Sequence, residues 1–152
     1  MKKRTAFAGI IILTALILLI WITLRTPEIK AVHRESYFTS VLIENPPLTA
    51  RGALTWWREN QAMLKAQYHI PQEDCDQVFY LSLWDFADGY KEEEDKDRLC
   101  FDDMPAPRNC IDKKWVMTVS RARNNKRIYV QAGTRTWVQS DGGEYISMAD
   151  DE

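Results

Sequence analysis

Residues 77–86 read QVFYLSLWDF, and apolar side chains occupy both alternating faces of this segment. A run that is apolar on both faces is typical of a strand in the middle of a sheet that is covered on each side. The dipeptide Asp88-Gly89 follows as a turn signal and leads into a charged loop. The pattern therefore predicts a central strand, around which the rest of the domain is arranged.

The sequence on either side of this strand supplies one helix and several shorter strands. A helix is predicted over 49–68, where mostly apolar side chains recur at three- and four-residue spacing. These side chains are Leu54, Trp57, Gln61, Leu64 and Tyr68. Further strands are predicted at 28–34, 37–44, 98–101, 114–121, 127–132, 134–139 and 144–148. One early helix and a later run of hairpins predict an α+β domain with a mainly antiparallel sheet.

The N-terminal part of the chain contains a long uncharged run. Residues 6–24 read AFAGIIILTALILLIWITL, which as a helix would span roughly 28 Å, close to the hydrocarbon thickness of a bilayer. A buried core helix would show polar positions at helical spacing, and a cleaved signal peptide would end in small residues. The run instead ends in Trp21-Ile22-Thr23-Leu24. We therefore expect residues 6–24 to form an uncleaved transmembrane signal anchor in contact with the lipid bilayer.

The charges that flank this run predict its orientation. Lys2, Lys3 and Arg4 crowd its N-terminal end, whereas the basic residues beyond it are more widely spaced. The positive-inside rule then leaves residues 1–5 in the cytoplasm and exports residues 25–152. We expect a single-pass protein of the bacterial inner membrane whose C-terminal domain is periplasmic.

Charge is strongly segregated along the exported part. Residues 25–152 carry a net charge of −5, which argues against a nucleic-acid partner. Within them, residues 73–103 carry −9 and residues 107–135 carry +7. This segregation has three interpretations. The acidic block is a solvated loop beside exposed strands, or it forms an acidic surface that binds a cationic partner. In the third interpretation, the acidic and basic blocks face each other inside one fold.

The second of these interpretations defines a candidate surface for a protein partner. Its acidic members lie at the end of the central strand or in the loop after it, and an exposed tryptophan beside them would serve as a binding anchor. The candidate residues are Asp85, Asp88, Glu92, Glu93, Glu94, Asp95, Asp97 and Trp56.

Motifs that would indicate an enzyme or a metal site are missing from the sequence. The acidic loop lacks the D-x-[DN]-x-[DN]-G pattern of calcium loops, and the isolated His33 and His69 form no H-E-x-x-H. No P-loop, G-x-S-x-G or G-x-G-x-x-G is present. We expect no catalytic residue, metal or cofactor, although unrecognised carboxylates of an envelope hydrolase stay open as an alternative.

Three cysteines would meet an oxidising compartment if the domain is exported. Cys100 and Cys110 lie in adjacent short segments, and their pairing would close a small loop and leave Cys75 free. Buried free thiols are the alternative for each residue. Cys75 lies between two aspartates, which disfavour a reactive thiolate. We therefore predict a disulfide between Cys100 and Cys110.

Several segments together resemble a known family. They are TWWREN at 55–60, WDFADGYKEE at 84–93, DRLCF at 97–101 and NCI at 109–111, together with the basic start and the apolar run. Over nearly its whole length the chain resembles the enteric-bacterial membrane protein family of unknown function (domain-of-unknown-function family 943). The resemblance implies a small inner-membrane protein in which Cys100 and Cys110 match family cysteines and Cys75 does not. It carries over no activity and no catalytic residue.

Two non-enzymatic functions are compatible with these features. The first is a membrane-tethered periplasmic binding module, for example an immunity protein that neutralises a toxin delivered by a competitor cell. The second is an accessory subunit of an envelope complex, in which residues 6–24 would also contact other helices.

Overall fold

The computed structural model describes residues 2–74, 76–94 and 97–148 of the chain. Two helices are present in this part, α1 (Lys2–Thr23) and α2 (Ala50–Tyr68). The strands are β1 (Glu28–Glu35), β2 (Phe38–Glu44), β3 (Phe79–Asp85), β4 (Arg98–Cys100), β5 (Cys110–Asp112), β6 (Trp115–Arg121), β7 (Ile128–Ala132), β8 (Arg135–Gln139) and β9 (Ile146–Met148). The predicted strands are found within two residues of their expected bounds, and β5 is an additional strand.

Seven of these strands form one sheet in the order β1-β2-β3-β6-β7-β8-β9, while β4 and β5 form a separate small sheet. Neighbouring strands of the large sheet are antiparallel except β2 and β3, which run parallel. A parallel pair needs a long crossover connection, and α2 supplies it. The predicted α+β class with a mainly antiparallel sheet is therefore confirmed, with one parallel pair added.

Helix α2 begins at a well-formed N-cap. The Thr49 hydroxyl accepts a hydrogen bond from the backbone N–H of Gly52 at 3.0 Å, which satisfies one of the free donors of the first turn. A Cβ added to Gly52 would lie 3.0 Å from that same hydroxyl oxygen. Glycine at this position therefore makes room for the cap, although it is a poor helix former in general.

The main core lies between α2 and one face of the large sheet. Leu54, Trp57 and Leu64 from the predicted helical stripe are buried, and they face buried side chains of the central strands. Those strand residues are Val41, Ile43, Phe79, Leu81, Leu83, Met117, Val119 and Val130. The Trp57 indole N–H also donates to the Tyr145 hydroxyl at 2.8 Å, which connects the helix to the loop before β9.

The opposite face of the central strand is covered only in part. Trp84, near the end of β3, packs against a second cluster formed with the small sheet. Tyr80, near its beginning, is exposed. The expectation that β3 is covered along both faces was therefore wrong for its first half, because the small sheet covers only one end of the large sheet.

Helix α1 is joined to the domain by a short connection. In the parts of the chain that the structure describes, no helix meets the length and apolarity that a membrane crossing requires.

Contacts of Arg25 fix the connection after α1. The guanidinium of Arg25 lies over the Trp21 ring, 5.0 Å from its centroid. Its Nε and Nη2 atoms both donate to Oδ1 of Asn45, at 3.1 and 2.9 Å. These contacts hold the end of α1 beside the loop that follows β2.

Candidate binding platform between two neighbouring strands

Residues 86–114, here called the platform, leave the sheet at the end of β3 and return to it at the start of β6. These two strands are neighbours in the sheet, with Tyr80 paired to Ser120 and Leu83 to Met117. The backbone N–H of Asp85 donates to the carbonyl of Lys114 at 2.9 Å, which closes the base of the excursion. The platform therefore projects from one end of the sheet, and it contains most of the predicted partner surface.

A disulfide between Cys100 and Cys110 crosslinks the platform. The two residues are directly opposite each other in the antiparallel pair of β4 and β5. Of these two strands, only β4 was predicted from the sequence. The backbones of Lys91 and Cys110 also exchange two hydrogen bonds, at 2.7 and 3.1 Å. The predicted disulfide is confirmed, and Cys75 lies outside the described residues.

An apolar underside attaches the platform to the sheet face opposite α2. Phe101 and Ile111 are buried against Leu42 of β2. Partly buried side chains surround these three residues, namely Ala31, Trp84, Phe86, Tyr90, Leu99 and Met104. Burial of this apolar area is what holds the platform down, because removal of apolar surface from water is the main favourable contribution to packing.

His33 of β1 clamps the platform from the side. Its ring stacks on Phe101 with centroids 3.8 Å apart and planes inclined by 10°. Its Nδ1 lies 2.7 Å from Oδ1 of Asp103, and its Nε2 lies 2.7 Å from the hydroxyl of Tyr90. A neutral imidazole satisfies both contacts by donating from Nδ1 to the carboxylate and accepting the tyrosine proton at Nε2.

The surroundings of Tyr90 favour its protonated form. Burial raises the pKa of this phenol, and the nearby charge of Asp103 raises it further. The phenol is therefore protonated at neutral pH and has a hydrogen available for the contact with Nε2 of His33. With 9% of the residue exposed and both ring nitrogens engaged, His33 has the geometry of a structural clamp.

Ion pairs fix the charged part of the platform. The Arg98 side chain is 6% exposed and donates from Nε to Oδ1 of Asp112 at 3.2 Å, while its Nη2 lies 3.2 Å from Glu94. Lys91 Nζ lies 2.5 Å from the other carboxylate oxygen of Asp112. The Lys91 hydrogen bond is the main cause that lowers the pKa of Asp112, and Arg98 adds to it against the opposing effect of burial.

The acidic and basic blocks of the sequence face each other in the fold. Lys114 Nζ donates to Asp88 at 2.7 Å, which lowers the pKa of that carboxyl and raises the pKa of the lysine. Lys113 pairs with Asp97. Before β3, Glu73 and Asp76 pair with arginines of β6 and the turn after it, at 2.8 and 3.1 Å. Of the three interpretations of the charge pattern, internal pairing describes these residues.

The members of the predicted partner surface are therefore not equivalent. Asp85 stabilises the turn after β3, because its Oδ1 accepts from the N–H of Ala87 at 3.0 Å. Glu92 and Glu93 are exposed, and no ion pair holds their side chains within the described residues. Asp95 lies outside the described residues. The partner role of the whole set stays a prediction.

Trp56 belongs to a different surface. Its side chain is largely buried, and only a small part of it lines a groove near α1 rather than the platform.

The cluster of His33, Tyr90 and Asp103 was missed by sequence reasoning. Its members are separated by 57 and 70 positions, and no motif links them. The one related signal in the sequence was the predicted strand at 28–34, because alternation along a strand puts positions 31 and 33 on the same face. Among the described residues, no group of three or more His, Cys, Asp or Glu side chains is arranged to hold a metal ion.

The comparisons with known proteins place the chain in a family without assigning an activity. No curated protein and no solved structure matches it. A family model described as "Enterobacterial putative membrane protein (DUF943)" matches residues 1–149. Because this match spans nearly the entire sequence, the chain belongs to the enterobacterial family DUF943.

Proposed function

We propose that this protein is a non-enzymatic binding module that residues 6–24 tether to the inner membrane, with residues 25–152 in the periplasm. The observation that carries this proposal is the Cys100–Cys110 disulfide in the platform. Structural disulfides persist in oxidising compartments and are rare in the bacterial cytoplasm. The disulfide therefore supports an exported domain, in agreement with the positive charges that precede residue 6.

The anchor itself is supported by the nineteen uncharged residues of the run 6–24. The large apolar side chains described between Phe7 and Ile22 of α1 are exposed, so this helix offers apolar surface to its surroundings. Such a surface is stable in lipid and unfavourable in water.

A binding role is supported by the construction of the platform. The disulfide, the His33 clamp and the buried Arg98 fix its backbone, while Glu92 and Glu93 point to solvent. Binding surfaces commonly combine a rigid scaffold with charged side chains that speed association. The expected partner is a protein with a cationic surface, and a toxin delivered by a competitor cell is the concrete version of this proposal.

Two measurements test the proposal. Alkaline phosphatase fused after residue 152 should be active, and a fluorescent protein that folds only in the cytoplasm should stay dark at the same site. A photo-crosslinking amino acid at position 93 should then capture a discrete partner in cells, and the same group at position 140, an exposed turn position remote from the platform, should not. An inactive phosphatase fusion would contradict the topology, and equal capture from both positions would contradict the binding role.

A further inference from the structure

We propose that the groove between the end of α1 and the loop before α2 binds one phosphatidylethanolamine molecule from the outer leaflet of the membrane. This inference rests on the membrane anchoring proposed above. The groove has a volume of about 520 Å³, within the usual range of small-molecule sites. It is lined from one side by Ile22 and Pro27, and from the other by Pro47, Leu48 and Trp56.

The lining suits an acyl chain. Ile22 and three prolines offer apolar surface to the groove. Trp56 is 8% exposed because most of its side chain packs in the main core, and its accessible part completes the lining. Leu48 is 67% exposed at the same groove, although a leucine of a loop tip gains nothing from contact with water. An acyl chain would bury both the groove and this leucine.

The position of the groove identifies the source of that chain. Ile22 belongs to the outer end of the run 6–24, so the groove opens where the hydrocarbon of the outer leaflet gives way to the headgroups. Trp21, one residue before, is exposed and suits the same interface. A lipid could therefore enter the groove sideways from the bilayer without crossing water.

The charged residues at the groove match the headgroup. Arg25 lines it, is held over Trp21, and pairs with no carboxylate among the described residues. Its guanidinium donates at two positions to Asn45 and has further N–H groups for a phosphate. Glu59 lines the same groove and complements an ammonium group. One cation and one carboxylate beside an apolar cleft fit the phosphate, the amine and the acyl chain of phosphatidylethanolamine.

The test uses the full-length chain in vesicles of phosphatidylethanolamine and phosphatidylglycerol, with a photoactivatable diazirine on the acyl chain of the phosphatidylethanolamine. After irradiation, adducts are mapped by mass spectrometry of peptides. We expect adducts on α1 and also on peptides that cover residues 45–59. When the diazirine is carried by phosphatidylglycerol instead, groove adducts should fall at least threefold.

Substitutions separate the groove from the anchor. Leu48→Asp and Arg25→Gln should each lower groove adducts at least fivefold while adducts on α1 are unchanged. Ile146→Asp is the matched control, since Ile146 is 68% exposed on β9 and lies outside the groove. It should leave both sets of adducts unchanged.

The outcomes distinguish failure of the lipid site from failure of the proposed membrane anchoring. Vesicles that yield no adducts on α1 overturn the anchoring itself. Adducts on α1 with none on residues 45–59 overturn the lipid site alone. A photo-crosslinking amino acid at position 48 that captures a second copy of the chain in the same vesicles, in place of lipid, would assign the groove to that copy and also overturn the lipid site.

Discussion

The rings of His33 and Phe101 lie face to face, with centroids 3.8 Å apart and planes inclined by 10°. This contact joins the edge strand β1 to the platform across 68 positions of sequence. The same imidazole makes two further hydrogen bonds, one with the carboxylate of Asp103 and one with the hydroxyl of Tyr90. The platform is thus held at three points by one side chain of the sheet.

Replacement of His33 by alanine should therefore loosen the platform. Loss of the stacked pair and of two hydrogen bonds should lower the free energy of unfolding by about 2–4 kcal/mol. His33→Phe keeps an aromatic ring and should lose less. Chemical denaturation of the full chain in detergent measures both variants, and hydrogen exchange should rise first in residues 98–112. Equal losses for the two variants would show that stacking contributes nothing.

Removal of the disulfide should destabilise the fold without changing its topology. Its cysteines are ten positions apart, so restriction of the unfolded chain stabilises the native state by about 2–3 kcal/mol. The Cys100→Ser/Cys110→Ser variant should lose that amount in denaturation. Intact-mass measurement after alkylation should show one label without reductant, on Cys75, and three with it. Three labels under both conditions would contradict the pairing.

The ion pair of Asp112 predicts a dependence of stability on acid. Its folded pKa lies below the unfolded value, chiefly because Lys91 donates to it. The stabilisation is therefore fully present above the unfolded pKa near 4, and it is lost as the pH falls through the folded value. Denaturation midpoints measured from pH 7 to pH 2.5 should fall less steeply below pH 4 for Asp112→Asn than for the wild type.

The control for this experiment is Asp102→Asn, because Asp102 is exposed on the same platform and has no ion pair in the described structure. It should keep the acid dependence of the wild type. If Asp112→Asn also keeps the acid dependence of the wild type, the Asp112 ion pair is not the source of that dependence.

Neutralisation of the exposed acids should affect association more than folding. Glu92→Gln/Glu93→Gln should change the free energy of unfolding by less than about 0.5 kcal/mol, because solvated charges contribute little to stability. Association with the partner captured from position 93 should slow several-fold at low salt and become less dependent on salt. Stopped-flow or surface-based kinetics measure this rate.

A matched control removes the same charge elsewhere. Asp141→Asn/Glu144→Gln lies in the exposed turn before β9 and should leave the association rate unchanged. Equal slowing by both pairs of substitutions would indicate a general effect of net charge, and the platform would then have no special role.

Local patterns predicted the elements of the fold but not their partners. The run of apolar side chains on both faces of QVFYLSLWDF identified β3, and the three- and four-residue spacing of apolar side chains identified α2. Alternation reports which side chains share a face, but it does not report the direction of the neighbouring strand. The parallel pairing of β2 with β3 therefore became visible only in the structure. The three-residue strand β5 was not predicted, and it became visible only through its pairing with β4 in the structure.

The candidate site was predictable only where its chemistry is local. Cysteine count and compartment predicted the Cys100–Cys110 bond, and net charge predicted two opposite blocks. The pairing of Lys114 with Asp88 could not be derived, because it depends on how the platform folds back on its own base. The contacts of His33 could not be predicted either, because a single histidine in a strand does not indicate which distant residues it will contact.

The hydrogen bond between Asp85 and Lys114 has a consequence for how this scaffold can change. Because β3 and β6 pair directly, the excursion between them begins and ends at one place, and the sheet register does not depend on its length. The segment between β3 and β6 can therefore vary in length and sequence without changing the register of the sheet. A lineage can exchange one surface loop for another while the framework persists, provided that the new loop still covers Leu42 and Trp84 on the sheet.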